Sequence, residues 1–326
     1  MLSRLSSPQN ETQNEEGKID DNPHRRRLVG HRNERGLHRV MVAAARAAET
    51  ASDNPLIRDE FAGILTGTPE LMDLLTRMAS IFQSDPQNEA IYRHMVDYQA
   101  ARTHFFDRFF ADAAAAGIRQ HVILAAGLDS RAYRLGWPDG TTVYEVDLPK
   151  VLEYKSATLA AHGAQPTATR REVAGDLRYD WPRALRDNGF DPNQRTAWLA
   201  EGLLLFLPGP AQDRMFEDIV SLSAPGSRIA LEVWAIDEQA KQAIERQRER
   251  AEELRERLGD NVFDPGDLWY QDDERSDPAE WFATRGWRTQ SVPGRDYLAK
   301  LGRPLPEQAN EEPLIIGTFV TAASPR

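Results

Sequence analysis

The segment Leu124-Ala125-Ala126-Gly127-Leu128-Asp129-Ser130 carries an apolar run into small residues and a turn. In an open α/β sheet such a junction is the carboxyl end of a strand, where ligands bind. Side chains this small let a ligand approach the backbone, and the helix that follows offers unpaired amides. A second apolar run, residues 141–146, ends on Asp147, 20 residues after Gly127. An acid at that spacing accepts hydrogen bonds from ribose hydroxyls. Asp147 also precedes Leu148-Pro149, where an acid caps a helix, so spacing alone leaves both roles open. The dinucleotide fingerprint needs three spaced glycines, and only Gly127 is present. The pyrophosphate of NAD therefore fits poorly, and a nucleoside without phosphates, such as S-adenosylmethionine, fits better.

The elements that must position these residues can be read from periodicity. Residues 40–49 are rich in strong helix formers and stop at Asp53-Asn54-Pro55. Residues 70–80 and 88–116 also read as helical; in the second, Tyr98, Phe105, Phe106, Phe109 and Phe110 recur at three- and four-residue steps before Gly117. Strands are predicted at 121–126, 141–146, 170–174, 197–200 and 228–234, with helices at 149–162 and 210–223 between them. Alternation of this kind means βαβ units and a mostly parallel Rossmann-like sheet. A polar helix over 237–258, lying on the outside or acting as a lid, a short helix from Asp277-Pro278 to Gly286-Trp287, and a last strand within 314–321 complete the reading. Residues 1–36 read as a disordered arm and 37–326 as a single domain: a helical part over 37–117, then a Rossmann-like core over 118–326 with a helical insertion at about 237–270.

Composition narrows the classes. The 326 residues carry 40 Lys plus Arg against 51 Asp plus Glu, a net charge of −11. An acidic balance argues against wrapping duplex nucleic acid. The basic residues His24-Arg25-Arg26-Arg27, Arg32, Arg35 and Arg39 belong to the polar lead-in and read as a solvated tail rather than a nucleic-acid arm. There is no cysteine, which removes thiolate catalysis, disulfides and Cys-ligated metals. No apolar run is long enough for a membrane span, and no signal peptide is visible. The expectation is a cytoplasmic protein without metal, nucleic-acid or membrane partners.

These residues extend to a resemblance. Residues 122–135 (Val-Ile-Leu-Ala-Ala-Gly-Leu-Asp-Ser-Arg-Ala-Tyr-Arg-Leu) followed by Tyr144-Glu145-Val146-Asp147-Leu148-Pro149 resemble the leucine carboxyl methyltransferase family, which includes bacterial polyketide O-methyltransferases. Ala100-Ala101-Arg102-Thr103, Gly175-Asp176-Leu177-Arg178, residues 199–207 from Leu-Ala-Glu to Phe-Leu, Met41-Val42-Ala43-Ala44-Ala45-Arg46 and Gly302-Arg303-Pro304-Leu305-Pro306 are similar as well. The resemblance covers residues 37–323 and implies a class I methyltransferase sheet with an antiparallel strand near the C-terminus. It implies S-adenosylmethionine as cofactor, with Arg102 clamping its carboxylate, Ala126 and Gly127 lining its path and Asp147 on the ribose. Asp176 and the Leu177 amide would read the adenine edge, and Glu201 would meet the amino-acid end. The turn departs from the eukaryotic members by lacking one glycine.

Around these positions the sequence leaves other roles open. Arg102 is also placed to pair with Asp97 or Asp107 on a helix surface. Asp129, with Ser130, reads as a helix cap, and Arg131 and Arg134 as partners of Glu145 or Asp147. The expected activity is methyl transfer to a carboxylate or hydroxyl oxygen of a small molecule. A carboxylate acceptor needs no general base, whereas a hydroxyl does; His104, Tyr98 and Tyr133 are conceivable bases, with none singled out. Tyr92, Phe105, Phe106, Phe109, Trp269 and Tyr270 are candidates for an apolar acceptor site or for core. The alternatives are an NAD(P)-linked oxidoreductase and a non-catalytic cofactor-binding protein on the same fold.

Overall fold

The computed structural model describes residues 38–67, 80, 86–234, 269–270, 275–305 and 316–325, with scattered positions between 241 and 256. Its centre is β1 (Gln120–Leu124), buried at every residue. Such a strand must be covered on both faces, which is why Val122-Ile123-Leu124 are apolar without alternation. β2 (Thr142–Asp147), β3 (Thr169–Ala174), β4 (Thr196–Ala200), β5 (Arg228–Val233), β6 (Arg288–Pro293) and β7 (Thr318–Ala323) complete a seven-stranded sheet of order β3-β2-β1-β4-β5-β7-β6. β1 to β5 pair in parallel, and β7 runs antiparallel between β5 and β6. The order reverses beside β1, between β2 and β4, and that switch point opens a crevice at the strands' carboxyl ends.

Alternate side chains of each strand serve opposite cores. Val122 and Leu124 join Trp198, Leu231 and Val320 on one face, with Trp181, Phe216 and Phe282 from the helices covering it. Ile123 joins Val143, Leu199, Ala230 and Phe319 on the other, under Phe106, Phe110 and Leu298. In chain order the helices are α1 (38–50), α2 (Ala62–Leu65), α3 (Pro86–Ala115), α4 (Arg131–Arg134), α5 (Pro149–Ala161), α6 (Trp181–Asp187), α7 (Gly209–Ser221), α8 (Pro278–Ala283) and α9 (Gly294–Lys300). The first face carries α6, α7 and α8. The second carries α1, α3, α5 and α9.

The sequence expectations meet this architecture closely, with instructive differences. The long helix ends where Gly117 takes φ +82°, a conformation that glycine adopts without strain. The last strand lies at Thr318–Ala323, and residues 306–315, which include the start of the expected strand, lie outside the described residues. Most of the expected helices at 70–80 and 237–258, and the arm at 1–36, also lie outside them. β6 was not expected from the sequence: Arg-Thr-Gln-Ser-Val-Pro is an edge strand with little buried surface, so it carries no apolar alternation. Among the described residues no helix is long and apolar enough to cross a membrane.

Candidate cofactor and active site

The turn after β1 makes the crevice. Ala125 and Gly127 both adopt positive φ, +52° and +47°, which folds the backbone sharply and turns its amides toward the end of β2. Asp147 answers them. Its Oδ2 accepts the Gly127 amide at 2.7 Å, and its Oδ1 accepts the Leu148 amide at 2.7 Å. The cap expected of Asp147 is thus limited to the amide of Leu148, the residue before α5, while its other oxygen ties two strands together.

A cavity of about 190 Å³ opens here, and Arg102, Ala126, Gly127, Asp147, Asp176, Leu177 and Glu201 all line it. The seven residues come from α3, the β1 turn and the ends of β2, β3 and β4, so the sheet's topology gathers them across 100 positions of sequence. At one end Asp176 accepts two bonds from the Arg178 guanidinium, at 2.9 and 2.6 Å. At the other end lies a dense network of ions. Glu201 Oε2 accepts from Arg131 at 2.7 Å, and its Oε1 lies 2.9 Å from Arg102 Nε. That Nε–H does not point along the contact and finds no hydrogen-bond acceptor although it is buried. Arg102 Nη1 donates to Glu232 at 3.0 Å.

The arginines differ from their expected pairings. Arg102 is 5% exposed and engages Glu201 and Glu232, not Asp97 or Asp107. Arg131 binds Asp107, Asp129 and Glu201, and Arg134 makes a fork on Asp107 at 2.6 and 2.8 Å. Neither reaches Glu145, which Lys155 and Arg170 occupy at 2.8 and 2.6 Å. Neither reaches Asp147, which lies across the cavity. Asp129 accepts the Arg131 amide at 2.7 Å, whereas the Ser130 hydroxyl receives Arg134 and caps nothing. Burial opposes the charge on Asp107 and Asp129, yet the surrounding guanidiniums hold both below the usual carboxylate range.

The lining also includes residues that the sequence does not single out for the site, among them His38, Arg39, Val42 and Arg46, all on α1. The helix was legible but its placement over the crevice was not. Arg39, read with the basic lead-in, lies 3.3 Å from Asp147 Oδ1. A methyl group on Gly127 would meet its side chain at 3.5 Å. Arg46 holds α1 down through Asp59 and the Leu128 carbonyl, both at 2.8 Å. His38 packs tilted against Phe206, with ring centroids 5.4 Å apart. Burial, with Arg102 and Arg39 nearby, lowers its pKa to about 4.

The conceivable bases do not line this cavity. His104 Nδ1 bonds Tyr297 at 2.8 Å, and Tyr98 donates to Glu232 at 2.6 Å. The aromatic candidates divide: Phe106 and Phe109 are core and Phe105 packs against it on Phe319 of β7, whereas Tyr92 and Trp269 are half-buried, Trp269 stacking on Trp234, and Tyr270 is exposed.

An adenosyl amino acid suits these donors and acceptors. The unspent Nε–H of Arg102 is a buried cationic donor beside the cavity, matched to a carboxylate. Glu201 beside it suits an ammonium. Asp147 retains a lone pair on Oδ2 for a hydroxyl, whereas its Oδ1 is already engaged by the Leu148 amide and by Arg39.

Comparison with known proteins agrees with this chemistry. The profile of the family described as Leucine carboxyl methyltransferase matches residues 39–220. A Mycobacterium marinum protein named "Putative S-adenosyl-L-methionine-dependent methyltransferase" is 53% identical over 299 residues, covering 89% of this chain and 95% of its own. A Mycobacterium tuberculosis protein of the same name is 50% identical over 296 residues, with 89% and 93% covered. Among solved structures, magnesium protoporphyrin IX methyltransferase from Synechocystis PCC 6803 aligns with a TM-score of 0.42 at 15% identity, over 70% of this chain and 85% of that one.

Proposed function

The chain belongs to the leucine carboxyl methyltransferase family, and we propose that it transfers a methyl group from S-adenosylmethionine to an oxygen of a small molecule. Its dependence on S-adenosylmethionine follows from relatives half identical over nearly their whole length. The acceptor and the residue roles are our reading. The observation that carries it is the single cavity in which Arg102 and Glu201 stand at one end and Asp147 and Asp176 at the other. The sulfonium of the bound cofactor supplies an already activated methyl group.

The protein's part is alignment and exclusion of water. Arg102 holds the cofactor's carboxylate, and Glu201, fixed by Arg131, faces its amino group. Asp147 accepts from the ribose hydroxyls, while Ala126 and Gly127 keep the path narrow. Asp176 and the Leu177 amide read the adenine edge. α1 lies over the crevice through His38, Arg39 and Val42 and limits solvent access. A carboxylate acceptor arrives ionised and needs no base. That case is favoured because none of the three candidate bases, Tyr98, His104 and Tyr133, lines the cavity, and Tyr98 and His104 are committed elsewhere.

The test is a labelled-methyl assay against a panel of small carboxylic acids, phenols and alcohols, run beside calorimetric titration with S-adenosylhomocysteine. Turnover of an acid, with binding of the homocysteine analogue lost in Asp147→Ala, supports the reading. Analogue binding with silence across the panel would make the protein a non-catalytic binder.

A further inference from the structure

Glu232 is the penultimate residue of β5, where it follows the apolar run Ile229-Ala230-Leu231, with a side chain 0% exposed. A carboxylate so placed is costly unless both oxygens are satisfied. Oε1 accepts the Tyr98 hydroxyl at 2.6 Å and Oε2 accepts Arg102 Nη1 at 3.0 Å. The Tyr98 oxygen in turn accepts the Gly317 amide at 3.0 Å. Proton accounting fixes the directions. The Gly317 N–H uses the hydroxyl oxygen as acceptor, so the single Tyr98 proton points at Glu232. Arg102 can only donate. Both Glu232 oxygens are therefore acceptors, and the group is ionised. Burial pushes its pKa up and Arg102 opposes that; two donors with no acceptor between them decide in favour of the anion.

The geometry points to Glu232 as the positioning residue for Arg102. It lies outside the cavity lining and acts through the guanidinium. With Nη1 pinned to β5, the plane of Arg102 cannot rotate wholly onto Glu201. The edge bearing Nε stays beside the cavity, and Nη2 donates to none of the described residues. Gly202 completes the mould: at φ +60°, a Cβ there would lie 3.4 Å from Arg102 Nη1 and 3.7 Å from Glu232 Oε2. Without Glu232, Arg102 would close its fork on Glu201, as paired guanidinium and carboxylate groups do. The donors aimed at the cofactor would then be spent before it arrives. Pre-ordering a long side chain also spares that cost at binding.

One effect opposes this. Glu232 is a second anion beside Arg102, so removing it strengthens the guanidinium's pull on an incoming carboxylate. We weigh orientation above charge because Glu201 remains to neutralise Arg102 and to compete for its donors.

The inference rests on Arg102 as the carboxylate clamp proposed above, and the experiment separates the two. S-adenosylhomocysteine and 5′-methylthioadenosine share the nucleoside and differ in the amino-acid end. Their affinities are measured by calorimetry for wild type, Arg102→Ala, Glu232→Gln and Tyr98→Phe. A glutamine presents an amide N–H to one of two buried donors, so Arg102 or Tyr98 loses its acceptor. In Glu232→Gln, S-adenosylhomocysteine should weaken about tenfold, the loss of one charged hydrogen bond, with methylthioadenosine changed less than about twofold. Tyr98→Phe, which keeps the charge and removes only the tether, should weaken the homocysteine analogue by a smaller factor in the same direction. Equal weakening of both ligands would mean general disruption and overturn the positioning role. So would unchanged or tighter binding of the homocysteine analogue in both variants while Arg102→Ala loses it, which leaves the clamp standing. An Arg102→Ala variant that binds both ligands normally would overturn the clamp, and the inference with it.

Discussion

Asp147 Oδ2 receives the Gly127 amide at 2.7 Å, so the end of β2 and the turn after β1 are one hydrogen-bonded unit. Asp147→Ala removes a ligand acceptor and unties the turn together. It should weaken S-adenosylhomocysteine by about 1.5 kcal/mol or more. Asp147→Asn retains one acceptor oxygen and should fall between the two. Calorimetry on the three proteins checks the order, and an alanine variant that binds like wild type would return Asp147 to a purely structural role.

Arg39 lies against that same carboxylate from α1, with a quarter of its side chain exposed. A ribose that engages both oxygens of Asp147 must displace it from Oδ1. Arg39→Ala should therefore tighten adenosine and S-adenosylhomocysteine binding, by about threefold, given the small worth of a partly exposed ion pair. Weaker binding in the variant would show that Arg39 grips the ligand instead of competing with it.

His121 on β1 is wholly buried between Trp137 and Phe110, with ring centroids at 4.6 and 5.3 Å. Burial, aided by Arg119, lowers its pKa to about 3. The folded pKa lies below the unfolded value, so under pH 6.5 the unfolded chain takes up a proton that the native state refuses. Stability is full above that pH and falls as pH drops toward 3, by about 1.4 kcal/mol per unit for each such histidine. His38 and His94, lowered to about 4, act in the same sense. Urea midpoints at pH 7, 6 and 5 should decline less steeply for His121→Phe than for wild type; identical slopes would assign the loss to other groups.

Arg303 draws three segments together, donating to Glu49 at 2.7 and 3.0 Å, to Asp97 at 2.6 Å and to the Asn54 carbonyl at 2.8 Å. Glu49 is 1% exposed. Arg303→Ala strands a buried carboxylate and should cost about 2 kcal/mol, discounted because the arginine is itself one-fifth exposed. Arg303→Lys should recover little, since an ammonium cannot fork between two acids. Urea denaturation measures both; an alanine variant as stable as wild type would show that Glu49 relaxes into solvent.

What could be read from the sequence follows from what each residue must bury. β1 and β2 announce themselves because central parallel strands are apolar on both faces, and the strand that ends on Asp147 carries the site with it. Arg102, Asp176 and Glu201 were reachable only by resemblance, since a charged residue at a helix face or strand end has no periodic signature. Arg39 showed only as one of the basic residues of the lead-in, because nothing local says that α1 folds back over the sheet. Glu232 did leave one: an acid inside Arg-Ile-Ala-Leu-Glu-Val-Trp must have buried partners. Their identities, Tyr98 and Arg102, depend on where α3 crosses β5, which is a tertiary fact.

The support for Arg102 joins residues 98, 232 and 317. During biosynthesis the turn at Gly127 and its partner Asp147 emerge early and close together, while the Gly317 amide emerges long afterward. On the cofactor roles proposed above, the two halves of the crevice would mature at different times: the nucleoside half needs only short-range assembly, whereas the amino-acid half waits for a closure of very high contact order. A nascent chain extended through β5 would have the turn to grasp adenosine and yet lack the finished brace that tells a whole cofactor from its fragment.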